Sequence, residues 1–180
     1  MFGQLATLTV ERTLYYLIED RREPPESISD DRLRRLHDYW CGKRGKRAMP
    51  SRADIDPLEL KEHLGRLHLL DVIGPNRFRF RLYGSGVTNP GVVDMTGQTT
   101  RDYADAAFGA VVTRHYQACV DERAPVYHEV RGTLDDSPYE YTRLTLPLSN
   151  DGVSVDMLLA SPHRLCVSLS LPSRKLFSGA

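Results

Sequence analysis

Charge of one sign is the first thing the 180-residue chain lacks: 24 lysines and arginines balance 24 aspartates and glutamates. A neutral chain of this kind offers no electrostatic footprint for nucleic acid, so none is expected as a partner. Cysteine is scarce, with Cys41, Cys119 and Cys166 far apart and odd in number. They make neither a disulfide framework nor a metal pair, which points to a reducing compartment. Long apolar runs are missing too: charge interrupts every apolar stretch within roughly ten residues, too soon for a membrane span. The first residues have no basic segment leading an apolar core, so no secretory signal is read there. A cytoplasmic location is the expectation. HxxxH and CxxC spacings, a phosphate-cradling glycine loop, a nucleophile motif and internal repeats are also missing. The chain is too short to add a kinase, cyclase or DNA-binding module, so any output must pass through another protein.

What is present suits a packed domain. Hydrophobic residues make up 41% and charged residues 27% of the chain, enough for a core inside an ordinary polar surface. In residues 1–20, Leu5, Leu8, Leu14, Leu17 and Ile18 form an imperfect helical stripe that stops before Pro24 and Pro25, where a helix cannot continue comfortably. Residues 1–26 are therefore read as a helical appendage and linker, 27–162 as the domain, and 163–180 as a tail. A helix opens at Ser29 or Asp30, carries Leu33, Leu36 and Trp40 on one face and ends at Gly42 and Gly45. The basic run Lys43–Arg47 that follows is either a solvated loop or an anion site. Asp56, Pro57 and Glu59 have the pattern of a second helix start, with Leu58, Leu60 and Leu64 behind them.

The pattern then turns to strands. Leu67 to Ile73 is nearly all apolar. Arg77 to Tyr83 alternates, with Phe78, Phe80 and Leu82 opposite Arg77, Arg79 and Arg81. A long helix over about 104–122 gathers Phe108, Val111, Val112, His115 and Cys119 on one face. Three strands follow near 126–133, 139–148 and 153–160, joined by turns short enough for antiparallel pairing. Beyond them Leu165, Val167, Leu169 and Leu171 alternate with Cys166, Ser168 and Ser170, as in a sixth edge strand or a partner-binding tail.

The stretch from Leu33 to Leu60, with Trp40, Arg44, Gly45, Met49, Pro50, Arg52, Asp54, Asp56 and Pro57, resembles a bacterial family of small PAS-type domains. Further matches are LLDV at Leu69–Val72, RFRFRLYG ending at Gly84, Thr96 with Gly97, and LPLS at Leu146–Ser149. The resemblance spans roughly residues 31–161. It implies an α+β fold, a PAS-like five-stranded antiparallel sheet covered by helices on one face, with a pocket between them. It names no ligand, and function has to come from the site.

The residues expected to face that pocket are Phe80, Leu82, Phe108, Val112, His115, Leu144 and Met157. They form either a ligand site for a small apolar or amphipathic molecule or a plain core. No cofactor is expected. His115 is the one polar group on the inner face of the long helix, where a histidine could ligate haem. Cys119 lacks the motif of a flavin photosensor. Arg52, Asp54 and Asp56 look like a charged cluster but suit a loop anchor. Trp40 is expected to be a packing anchor or, if exposed, part of a dimer contact. The apolar N-terminal segment, the first helix or both would join two copies into a homodimer. Two readings from other classes stay open: a small cone-fold enzyme using Asp71, His128 and Asp156 in acid–base chemistry, and a structural interaction domain with a filled core.

Overall fold

The computed structural model describes residues 14–87, 89–91 and 93–164. Its centre is one antiparallel sheet of six strands: β1 (Tyr15–Glu23), β2 (His68–Gly74), β3 (Arg77–Leu82), β4 (Val126–Leu134), β5 (Ser137–Leu148) and β6 (Met157–Arg164). Their spatial order is β1-β4-β5-β6-β2-β3. Helix α1 (Asp31–Arg44) precedes β2, and helix α2 (Ala106–Glu122) separates β3 from β4.

Both helices begin where their sequences predict. Asp30 accepts from Leu33 N at 2.9 Å, and Asp105 accepts from Phe108 N at 2.8 Å, each holding a backbone N–H that a helix leaves unpaired. Helix α1 runs through Gly42 and stops at Gly45, whose φ is +56°. Its Leu33, Leu36 and Trp40 are buried, and the Trp40 indole donates to the Pro147 carbonyl at 2.8 Å. Trp40 is thus a packing anchor.

The sheet is covered on both sides. Residues Tyr141–Leu148 of β5 are buried without a break, so both phases of the strand are shielded. Pro162 and Arg164 of β6 line a cavity on the α2 side, whereas His163 between them meets Asp30 at the start of α1 at 3.1 Å. Helix α2 therefore takes one face and α1 the other. The antiparallel α+β architecture is the one expected, with a sixth strand and a second covered face added.

The sixth strand comes from the segment expected to be helical. Tyr15–Glu23 pairs with β4 from Leu134 to Tyr127, with a bulge at Ile18. Its local leucine spacing is overridden by tertiary contacts. Tyr15 is buried edge-on against Phe108, with ring centroids 5.3 Å apart, and Asp20 reaches His115 on α2. The rest of the expected helix, with Leu5 and Leu8, lies outside the described residues, as does the alternating segment after Arg164.

Two other expectations change. After Asp56 there is no α-helix: the Asp56 carboxylate accepts from Leu58 N, and one short 3-10 turn, Lys61–His63, follows. Gly65, at φ +83°, closes it, so too few residues remain to propagate a helix. The last strand starts at Met157 and not at Val153. The Asp151 carboxylate gathers Val153 N, Ser154 N and Ser149 Oγ within 2.9 Å, folding residues 149–154 into a side-chain-held turn.

The two sheet edges are treated differently. Alongside β3, Gly97 N donates to Phe80 O and Thr100 N to Phe78 O, so the 97–100 segment covers that edge. Among the described residues nothing pairs with the outer side of β1. Gly132 sets how closely β1 docks: a Cβ there would lie 2.5 Å from Tyr16 O and 3.0 Å from the Tyr15 ring. Gly132→Ala is expected to loosen β1 and to lower stability by about 1–3 kcal/mol. Urea unfolding measures the loss, and faster proteolysis near residue 18 reports where it acts.

Candidate functional site

Strand β5 carries two signals in opposite phase. Leu144, Leu146 and Leu148 face α1, while Tyr139, Tyr141 and Arg143 face α2 at period two. Arg143 is only 3% exposed. Guanidinium does not deprotonate in proteins, so a charge is held inside the fold. Among the described residues it meets no carboxylate directly. Its Nη1 donates to His115 Nδ1 at 2.9 Å, and its Nε, also buried, has no partner. The guanidinium lies over the Tyr141 ring at 5.0 Å and the Tyr116 ring at 5.5 Å, where aromatic faces partly replace water. Burial opposes the charge, but the surrounding tyrosines outweigh it and the Arg143 pKa is raised.

The bond from Arg143 fixes the state of His115. Arginine only donates, so His115 Nδ1 holds a lone pair and the ring proton sits on Nε2. That nitrogen donates to Asp20 Oδ1 on β1 at 2.9 Å. Burial pushes the His115 pKa down to about 4; Asp20 resists this and Arg143 adds to it. A neutral imidazole therefore bridges a buried cation and a carboxylate. Burial would raise the Asp20 pKa, but hydrogen bonds from His115 and Arg114 hold it below the ordinary value.

Arg143 also lines a cavity of about 210 Å³. Tyr83, Tyr103, Phe108, Tyr139 and Tyr141 form its aromatic wall, and the exposed Arg66 and Arg164 stand at the rim. His68 lies beside Arg143, stacked on Tyr83 with centroids 4.1 Å apart, and its Nδ1 accepts from Gly84 N. Burial first, then Arg143, drive the His68 pKa down to about 3. Among the described residues, the lining contains three arginines and no carboxylate. A larger space of about 560 Å³ runs along the outer side of α2, but it is an open groove over small side chains such as Ala106, Gly109 and Ala110.

Of the seven residues expected to face the pocket, Phe108 alone lines this cavity. Phe80 sits one layer behind it, packed edge-on against His68, Tyr83 and Tyr103. Val112 and His115 are fully buried on α2. Leu144 and Met157 lie on the α1 side of the sheet, where Leu148 pairs with Met157 and Leu146 with Leu159. Leu82 is 48% exposed, because a bulge between Leu69 and Leu70 places it opposite Leu69. The residues missed were Arg143 and its tyrosines. Their signal is the YEYTR run, an arginine two and four residues after tyrosines on one strand face.

The other candidates separate. Both ring nitrogens of His115 are engaged, which leaves no ligand atom for haem iron. Asp20, His115 and His128 bring possible metal-binding atoms within 4.8 Å. The two imidazoles stack in parallel, with centroids 3.8 Å apart and planes 10° apart, so their in-plane lone pairs run side by side and do not converge. Asp71 pairs with Arg81 at 2.8 Å on the sheet face opposite His128, and Asp156 holds the Asn150 amide; the three cone-fold candidates are not brought together. Arg52 donates to the Ile55 carbonyl, Asp54 pairs with Arg47 at 2.9 Å and Lys43 with Glu59 at 2.6 Å. Lys43 and Arg47 of the basic run are thereby held by the carboxylates of the segment that follows.

The histidines make the fold acid-sensitive. His115, His68 and His128 have folded pKa values lowered from 6.5 to about 4, 3 and 3, burial being the largest cause in each. Between about pH 6.5 and 4 the unfolded chain binds protons that the folded chain refuses, so stability falls as pH falls through that window. Urea midpoints at pH 7.5 and pH 5 are expected to show this loss, and His68→Asn is expected to reduce its slope.

A family model described as PAS domain matches residues 28–160. No curated protein and no solved structure matches the chain significantly.

Proposed function

Because the chain belongs to the PAS domain family, we propose that it is a sensory, ligand-binding domain of bacterial signalling in the cytoplasm. It is read as a binder and not an enzyme, with its output passed to a second copy or a partner protein. The observation that carries this reading is the cavity beside Arg143, which combines an aromatic wall with a buried polar group that has unused hydrogen-bonding capacity.

A sensor also needs a route from ligand to surface, built from contacts that differ between two states. Arg143 reaches His115, and His115 reaches Asp20 on β1. A ligand that draws Arg143 toward the cavity weakens its bond to His115 and, through it, the hold on β1. Among the described residues, the far side of β1 is the open edge of the sheet. Tyr16 and the bulged Ile18 stand on that strand 57% and 69% exposed, an apolar edge of the kind that joins sheets edge to edge. This edge is the proposed homodimer contact.

Sedimentation is expected to give a dimer for the intact chain and a monomer for the Tyr16→Glu, Ile18→Glu double variant. A variant that stays dimeric moves the contact away from β1, and a monomeric intact chain leaves only a partner protein as the output. Asp20→Asn keeps an acceptor for His115 but loses the charge. It is expected to uncouple ligand binding from the dimer equilibrium while ligand binding itself persists by calorimetry.

A further inference from the structure

Three features of the cavity say what kind of molecule it takes. The first is the unbalanced charge: Arg143 at the base and Arg66 and Arg164 at the rim, with no carboxylate among the described residues of the lining. None of the three makes an ion pair among the described residues. The nearest compensation for Arg143 is Asp20, one imidazole away, and Asp20 also pairs with Arg114. A buried cation left in that state is unfavourable, and a ligand that brings the missing charge relieves it. The second is the unspent donor capacity. One of the five guanidinium N–H groups is committed to His115, and Nε has no partner. The third is shape and surface. The wall is aromatic, and about 210 Å³ is below the roughly 300–1,000 Å³ of drug-sized sites.

Resting on the reading of this cavity as a ligand site, we infer that its ligand is a small organic anion, a carboxylate carried on one planar or aromatic ring, with the carboxylate on Arg143. A planar carboxylate matches the guanidinium fork, and the ring fits among Phe108 and the tyrosines. Arg66 and Arg164 attract the anion at the rim. His68 stays neutral beside the site, its pKa held down to about 3, so Arg143 remains the charge that recognises the ligand. Binding places the ligand's charge at the start of the Arg143–His115–Asp20 chain.

The test is calorimetric titration of the intact protein with one-ring carboxylates (benzoate, 4-hydroxybenzoate and phenylacetate), with the matched neutral amides, and with inorganic phosphate. A dissociation constant in the roughly millimolar range or tighter is expected for at least one acid, with at least tenfold weaker binding of its amide and of phosphate. Arg143→Gln is expected to weaken the acid at least tenfold and the neutral amide by less, so that the preference for the acid is lost. Circular dichroism checks that this variant is folded. Arg66→Gln with Arg164→Gln, both exposed positions, gives a second route and is expected to weaken the acid alone, with a loss that grows at low salt. Amides that bind as well as acids overturn the anion inference but leave the ligand-site reading standing. Phosphate binding as tight as the acids overturns the organic class. Failure of acids, amides and phosphate alike overturns both the inference and the ligand-site reading.

Discussion

The structure is organised around a positive charge that cannot be discharged. Arg143 is buried at the middle of the sheet, and its neighbours are arranged to tolerate it: tyrosine faces around it, a neutral imidazole accepting one N–H, and Asp20 beyond that imidazole. Each group constrains the next. Because Arg143 donates to Nδ1, His115 must turn its Nε2–H to Asp20; because Asp20 accepts hydrogen bonds from that N–H and from the Arg114 guanidinium, β1 is held against α2. The same burial that isolates Arg143 keeps His115, His68 and His128 uncharged. A second positive charge in that space would meet the first at low dielectric.

This arrangement ties the site to the fold. Helix α2 supplies His115 and Phe108 from one face, β5 supplies Arg143 and the tyrosines, and β1 supplies Tyr15 and Asp20. The N-terminal strand therefore completes the wall of packed rings behind the cavity, with Tyr15 touching both Phe108 and Tyr139. The opposite face of the sheet serves a different purpose. There Leu144, Leu146 and Leu148 bury against α1 with Trp40, an apolar layer that gives β5 a rigid back. A charge can be held accurately on one side of a strand when the other side is packed to that density.

The treatment of the edges follows the same logic. The β3 edge is paired by residues 97–100, whereas among the described residues β1 ends the sheet, with exposed apolar side chains and a bulge. An unpaired apolar edge is a hazard in a lone domain. Its position, two side chains away from the buried arginine, gives it a use in the proposed sensor.

The sequence by itself determined what depends on local pattern. Alternation in Arg77–Tyr83 placed β3, the helical stripe from Phe108 to Cys119 placed α2, and the motif around Trp40 pointed to the family and hence to an antiparallel sheet. These survive because a strand of period two or a helix of period 3.6 must bury its apolar side wherever it lies. Tertiary structure decided the rest. Leucine spacing in the first twenty residues could not reveal that Tyr15 and Asp20 have partners 93 and 95 positions away at Phe108 and His115, contacts that outweigh local helix preference in Tyr15–Glu23. A bulge turned Leu82 outward, which depends on pairing register and not on residue type, and the Asp151 carboxylate gathered a turn that delayed β6 to Met157, a contact the alternation of Val153–Leu159 does not show. The site itself was hidden for the same reason. Apolar pattern selects the leucine phase of β5, but Arg143 lies on the other phase. That an arginine there is buried follows only once α2, β1 and the tyrosines from distant segments close over it.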